Sequence, residues 1–125
     1  MLGAKDSMAT VAVKDLNVAK RFYEGTLGLK LTEAQEPEAL TFQAGSSRLL
    51  VYRSQYAGSN RATAATWLIG NEMDKVVQML RGKGVVFEHY DMPGLTLRGD
   101  IHEGGGMKAA WFKDPDGNIH ALVSG

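Results

Sequence analysis

Short apolar runs and helical stripes follow one another in an order that occurs twice along the chain. Met8 to Val13 is an apolar run, and Asp15 then stands where a helix N-cap belongs. Leu16, Ala19, Phe22 and Tyr23 follow at helical spacing until Gly25 and Gly28 end the pattern. Leu29 to Thr32, Leu40 to Gln43 and Leu49 to Arg53 alternate as strands, separated by polar turns at Gln35 to Pro37 and Gly45 to Arg48. The first half therefore predicts β-α-β-β-β.

The second half repeats the plan. Thr66 to Ile69 predicts a strand, and Asn71 is placed to cap a helix carrying Met73, Val76, Val77, Met79 and Leu80, which Gly82 and Gly84 stop. Val85 to Phe87 leads away as Leu29 to Leu31 does, and Ala109 to Phe112 and Ile119 to Val123 predict the two closing strands. Gly28 and Gly84 lie 56 positions apart, as do Asp15 and Asn71. A period of about half the chain is too long for a solenoid and natural for a duplicated module. One domain over residues 1–125 is expected, with a first module at about 7–56 and a second at about 64–125. The stretch from Tyr90 to Gly106, rich in glycine and without periodicity, reads as a long irregular loop, either a lid or a surface excursion.

Between the closing strands stands the turn Asp114-Pro115-Asp116-Gly117-Asn118. Pro115 presets the first corner, Asp114 can cap the turn through its carboxylate, and Gly117 accepts the positive φ that closes it. The acidic spacing hints at a calcium loop, but that loop needs Gly sixth and Glu twelfth, whereas Gly117 is fourth and Gly125 twelfth. A plain hairpin remains.

Charge narrows the function classes. The 14 basic and 14 acidic residues of the 125-residue chain cancel, and no basic run is present, so neither nucleic acid nor a polyionic ligand is an expected partner. Without cysteine there is no disulfide framework, thiol nucleophile or thiolate metal site. Met1 to Ser7 lacks the regions of a secretory signal, and no apolar run approaches a membrane span, so a cytoplasmic protein with no membrane partner is expected.

Duplicated β-α-β-β-β modules with Asp15-Leu16, Phe22-Tyr23, Leu27-Gly28-Leu29, Gly84-Val85 and the Asp114 to Asn118 turn resemble the vicinal oxygen chelate superfamily over nearly the whole chain. That group includes glyoxalase I, extradiol dioxygenases, fosfomycin-resistance enzymes and bleomycin-resistance binding proteins. The resemblance implies an α+β fold, two curved mixed sheets around a cleft with helices outside, and a homodimer. In the metal enzymes resembled, the ligands are a His or Gln near the start of the first strand, a Glu or similar group on the fourth, a His on the fifth and a Glu on the eighth. Counting from the motifs, those positions fall here on Met8, on the run Leu49 to Tyr52, on Ala65 and on Ala121. A thioether and alanines do not hold a hard or borderline divalent ion.

Other polar groups offer little in their place. His120 adjoins Ala121 but points to the opposite face by strand alternation, towards helices or solvent. His89 reads as a surface residue, and His102 and Glu103 fall in the irregular loop without the His-Glu-x-x-His spacing of a zinc pair. No metal or other cofactor is therefore expected, and no catalytic residue is assigned. The alternative is a metal-dependent glyoxalase-like lyase or isomerase, or a dioxygenase, with ligands relocated to His89, Asp100, His102 or Glu103. A metal-free isomerase using Asp91, Asp100 or Glu103 is a third reading.

The expected site is an apolar, aromatic-rich cleft. Met8, Thr10 and Ala12 are assigned to the concave face of the first strand, and Ala65, Trp67 and Ile69 to that of the fifth. Trp67 is the expected stacking surface, its indole N–H available for one orienting hydrogen bond. Tyr52, Tyr56 and Trp111 are expected to close the cleft, Met107 and Met8 to adapt to ligand shape, and Arg53 to supply one charged contact. These expectations describe a metal-independent binding protein, similar to the drug-binding resistance branch, that sequesters a largely neutral aromatic compound such as an antibiotic.

Overall fold

The computed structural model describes residues 1–35 and 37–124. The polar turn expected at Gln35 to Pro37 thus includes one residue, Glu36, outside the described set. The chain forms two compact units, Met1–Ser59 and a second beginning at Asn60.

In the first unit, β1 (Ala9–Val13), β2 (Lys30–Gln35), β3 (Ala39–Ala44) and β4 (Ser47–Arg53) make a mixed sheet in the order β1-β4-β3-β2, with β1 parallel to β4. Asp15 caps α1 (Leu16–Lys20) as expected, its Oδ1 accepting from the backbone N–H groups of Asn17 at 2.8 Å and Val18 at 3.3 Å. The helix does not stop at Gly25. It widens over Arg21–Thr26 into a turn closed by a five-residue bond from the Leu27 N–H to the Phe22 carbonyl, and Gly28 at φ 76° ends it. Alternation puts Val11, Val13, Leu40, Phe42, Leu49 and Val51 on one face of the sheet, where they are buried with Leu16, Ala19 and Tyr23 of the helical segment. Each buried Val, Leu or Phe side chain stabilises the unit by about 2 kcal/mol relative to exposure.

In the second unit, β5 (Thr63–Leu68) runs parallel to β10 (Ile119–Val123), as β1 does to β4. Next come β9 (Met107–Lys113), β8 (Ile101–Gly104) and β7 (Thr96–Arg98), with the short β6 (Phe87–Glu88) also alongside β9. The helix α2 (Met73–Gly82) buries Met73, Val77 and Leu80. Asn71 is not its cap: the N-cap position is Glu72, without a side-chain cap bond, and Asn71 stays in the preceding turn.

The stretch from Tyr90 to Gly106 is not an irregular loop throughout. A two-residue connection, Gly99-Asp100, pairs β7 with β8, and Gly99 takes φ 62° there. The turn before β10 follows the sequence reading: Asp114 Oδ1 accepts from the N–H groups of Asp116 and Asn118, Asn118 Nδ2 donates to Asp114 Oδ2, and Gly117 has φ 89°. Among the described residues no helix is long and apolar enough to cross a membrane.

Candidate functional site

The register of the second sheet decides which side chains share a face. His120 lies opposite Phe112 and Ala65, Leu122 lies opposite Ala110 and Trp67, and Phe87 lies opposite Phe112. These positions form one face, all buried except the half-buried Trp67. The other face carries Ala121 opposite Thr66 and Trp111, and Ala109 opposite His102.

Trp67 therefore does not share the face of Ala121, contrary to the sequence expectation. Ala65, where the sequence count puts the third ligand position, lies opposite His120, whereas Thr66 lies opposite Ala121, and residues one step apart on a strand take opposite faces. Trp67 Nε1 donates to His120 Nδ1 at 3.0 Å, and the His120 ring stacks on Phe112 with centroids 5.1 Å apart. His120 is fully buried, and burial lowers its pKa to about 4, against the weaker opposing pull of Asp114. Its imidazole is thus neutral at pH 7 and belongs to the core. The residue beside Ala121 is Thr66.

On the Ala121 face an aromatic cluster replaces the expected Trp67 platform. Trp111 of β9 meets the edge of His102 at 4.9 Å and of Tyr90 at 5.4 Å, and Tyr90 stacks on His102 at 6.4 Å. His102, placed by sequence in a loop, sits on β8 and is only 1% exposed. The Tyr90 backbone N–H donates to its Nε2 at 3.0 Å, so the neutral ring carries its proton on Nδ1. Among the described residues, no hydrogen-bond partner reaches that buried Nδ1. Burial, and then the charge of Glu88, raise the pKa of the Tyr90 phenol against the smaller effect of Lys113, which keeps its O–H protonated.

Beside this cluster lies a recess of about 330 Å³. Tyr90 and Met92 line it from the segment after β6, Trp111 and Ile119 from β9 and β10, and Arg61, Ala62 and Thr63 from the entry to β5. Tyr90, Met92 and Arg61 went unrecognised in the sequence because their segments show no period. The one signal that locates His102 is Gly99-Asp100, a two-residue hairpin pattern between short runs.

The remaining expected residues divide. In the first unit, Thr10 and Ala12 lie opposite Leu50 and Tyr52 and so share their face, Met8 precedes β1, and Tyr56 lies 71% exposed in the turn after β4. In the second, Ile69 follows β5 with its N–H on the Val123 carbonyl, and Met107 lines a different recess, near the start of α2. Arg53 pairs with Glu38 at 3.6 Å. The relocated metal set does not assemble: Asp100 is held by His89 at 2.8 Å and Arg81 at 3.5 Å, and Glu103 by Arg98 at 2.7 Å and Lys108 at 3.7 Å. Among the described residues, no three His, Cys, Asp or Glu side chains gather where they could hold a metal ion.

Comparison with known proteins gives this arrangement a family. Solved structures with the same fold include the lactoylglutathione lyase of Agrobacterium tumefaciens, at 18% identity and a TM-score of 0.74, covering 98% of this chain and 94% of that one. The fosfomycin resistance protein FosX of Mesorhizobium loti has 17% identity and a TM-score of 0.69, covering 100% and 94%. An integron cassette protein from the Halifax Harbour sewage outfall metagenome has 16% identity and a TM-score of 0.72, covering 94% and 95%. Among curated proteins no sequence matches. The profile of the Glyoxalase/Bleomycin resistance protein/Dioxygenase superfamily matches residues 7–122, and the chain belongs to that superfamily.

Proposed function

We propose that this protein is a metal-independent binder of small planar aromatic compounds, which it protects or withholds by burial without a chemical step. The supporting observation is the Ala121 face of the second sheet, where Trp111, Tyr90 and His102 form an aromatic wall and Ala121 and Thr66 stand near the family's ligand positions. An apolar wall with a few polar groups is the usual make-up of a small-molecule site. In the first unit, counting from the motifs puts the ligand positions on the thioether of Met8 and within the run Leu49 to Tyr52, of which Leu50 and Tyr52 share the face of Thr10. These side chains do not fit the Zn, Ni, Mn or Fe(II) that the family's enzymes carry, and no chemical step is assigned through a metal.

The test is calorimetric titration with a panel of planar aromatic compounds, antibiotics among them, in wild type and in two variants. Trp111→Ala is expected to weaken binding by about tenfold, near 1.4 kcal/mol, through lost ring contact. Trp67→Phe, on the opposite face, is expected to change it by less than about twofold. Loss of affinity in Trp67→Phe with none in Trp111→Ala would reject this site. Homodimerisation, which the family resemblance implies, is read by light scattering on the eluted protein.

A further inference from the structure

The whole chain is electrically neutral, but the recess beside Trp111 is not. Among the described residues, Arg61 is the one charged residue lining it, and no acidic side chain does. Arg61 is exposed and has no ion pair among the described residues. The other nearby cation, Lys113, is opposite Ile119 in the sheet and is already paired with Glu88 at 3.6 Å. Asp91, between Tyr90 and Met92, is exposed and does not line the recess. The turn that presents Arg61 is fixed locally, since Asn60 Oδ1 accepts from the Ala62 N–H at 3.1 Å. Tyr90, whose phenol stays protonated, also lines the recess. A planar guanidinium beside two aromatic rings matches an anion attached to a flat ring.

We propose that the recess takes an aromatic carboxylate, its ring against Trp111 and Tyr90 and its carboxylate at Arg61; the proposal rests on the binding function given above and adds the charge of the ligand. The sequence-level expectation of a largely neutral ligand came from the charge balance of the entire chain, which carries no information about one recess. His102 acts here as a positioning residue, because its Nε2 holds the backbone of Tyr90 and with it one wall.

The probes are 2-naphthoate, 2-naphthamide and 2-naphthylmethylammonium, titrated calorimetrically against the full chain at low and at high salt. The expected order is carboxylate tightest, with the amide about fivefold weaker, as suits an ion pair at a solvent-exposed rim. That gap is expected to shrink in high salt through screening. Arg61→Gln is expected to close the gap, and Arg61→Lys to retain part of it. If the amide binds as tightly as the carboxylate, or the gap survives in Arg61→Gln, the carboxylate assignment is wrong and the recess remains a site for neutral rings. Should none of the three probes bind, both this proposal and the binding function fall.

Discussion

A hydrogen bond from Trp67 Nε1 to His120 Nδ1 ties the most conspicuous aromatic residue of the sequence to the face of the sheet opposite Ala121. Because that bond uses the lone pair of Nδ1, protonating His120 would set two N–H groups against each other inside a buried stack with Phe112. This has a pH consequence. The folded pKa near 4 lies below the unfolded value of about 6.5, so the unfolded chain takes up the proton first as pH falls. The contribution of neutral His120 is fully present above about pH 6.5 and is lost between there and about pH 4, amounting to about 3 kcal/mol. Urea denaturation at a series of pH values in this window should show the loss, and His120→Gln should flatten that part of the profile. An unchanged slope in the variant would place the acid sensitivity elsewhere. Among the described residues the buried Nδ1 of His102 has no hydrogen-bond partner, an arrangement that costs about 1–3 kcal/mol in a closed core.

At the scale of elements, the β7–β8 hairpin is what places His102 against Trp111. Its seating depends on Gly104, where a Cβ would collide with the carbonyl oxygen of Gly94 and the side chain of Leu95. The obstacle includes backbone, so it cannot be relieved by a side-chain rotation. Gly104→Ala is therefore expected to displace the Gly94–Leu95 turn from β8 and to destabilise the protein by about 1–3 kcal/mol, as overpacking does. Gly105→Ala, with open space around its Cβ but a φ of 58°, separates backbone strain from collision. Thermal melts of the two variants, together with amide exchange at His102 and Glu103, read the difference. Equal effects from both would show that the close approach of Gly94 is unimportant. Most element types were legible from pattern: the Asp15 cap, the Gly84 stop and the Asp114 turn all follow from local chemistry that the surrounding fold leaves intact. The hairpin was not, because two strands of three and four residues are too short to show a period.

For the molecule as a whole, the metal question gives a direct measurement. Anything that binds only the folded state raises Tm by mass action. On the metal-independent reading proposed above, Ni, Zn, Mn or Fe(II) added to chelator-treated protein is expected to leave Tm unchanged, because counting from the motifs puts the family's ligand positions on Met8, the run Leu49 to Tyr52, Ala65 and Ala121. A saturable rise with any of these ions, at stoichiometric metal content, would overturn the metal-independent reading. A planar aromatic ligand at one hundred times its Kd should by contrast stabilise the fold by about 2.7 kcal/mol.

The sequence by itself determined the duplicated plan and the fold family. Each of these depends on residue identity at a fixed offset from a local motif. The tertiary structure decided which faces those residues share. Trp67 and Thr66 are neighbours in sequence, yet the parallel pairing of β5 with β10 sends one to the core beside His120 and the other to the face of Ala121 and Trp111. No local signal sets that register. It comes from the packing of strands more than fifty residues apart, so only the folded sheet could set Trp111, and not Trp67, on the face of Ala121.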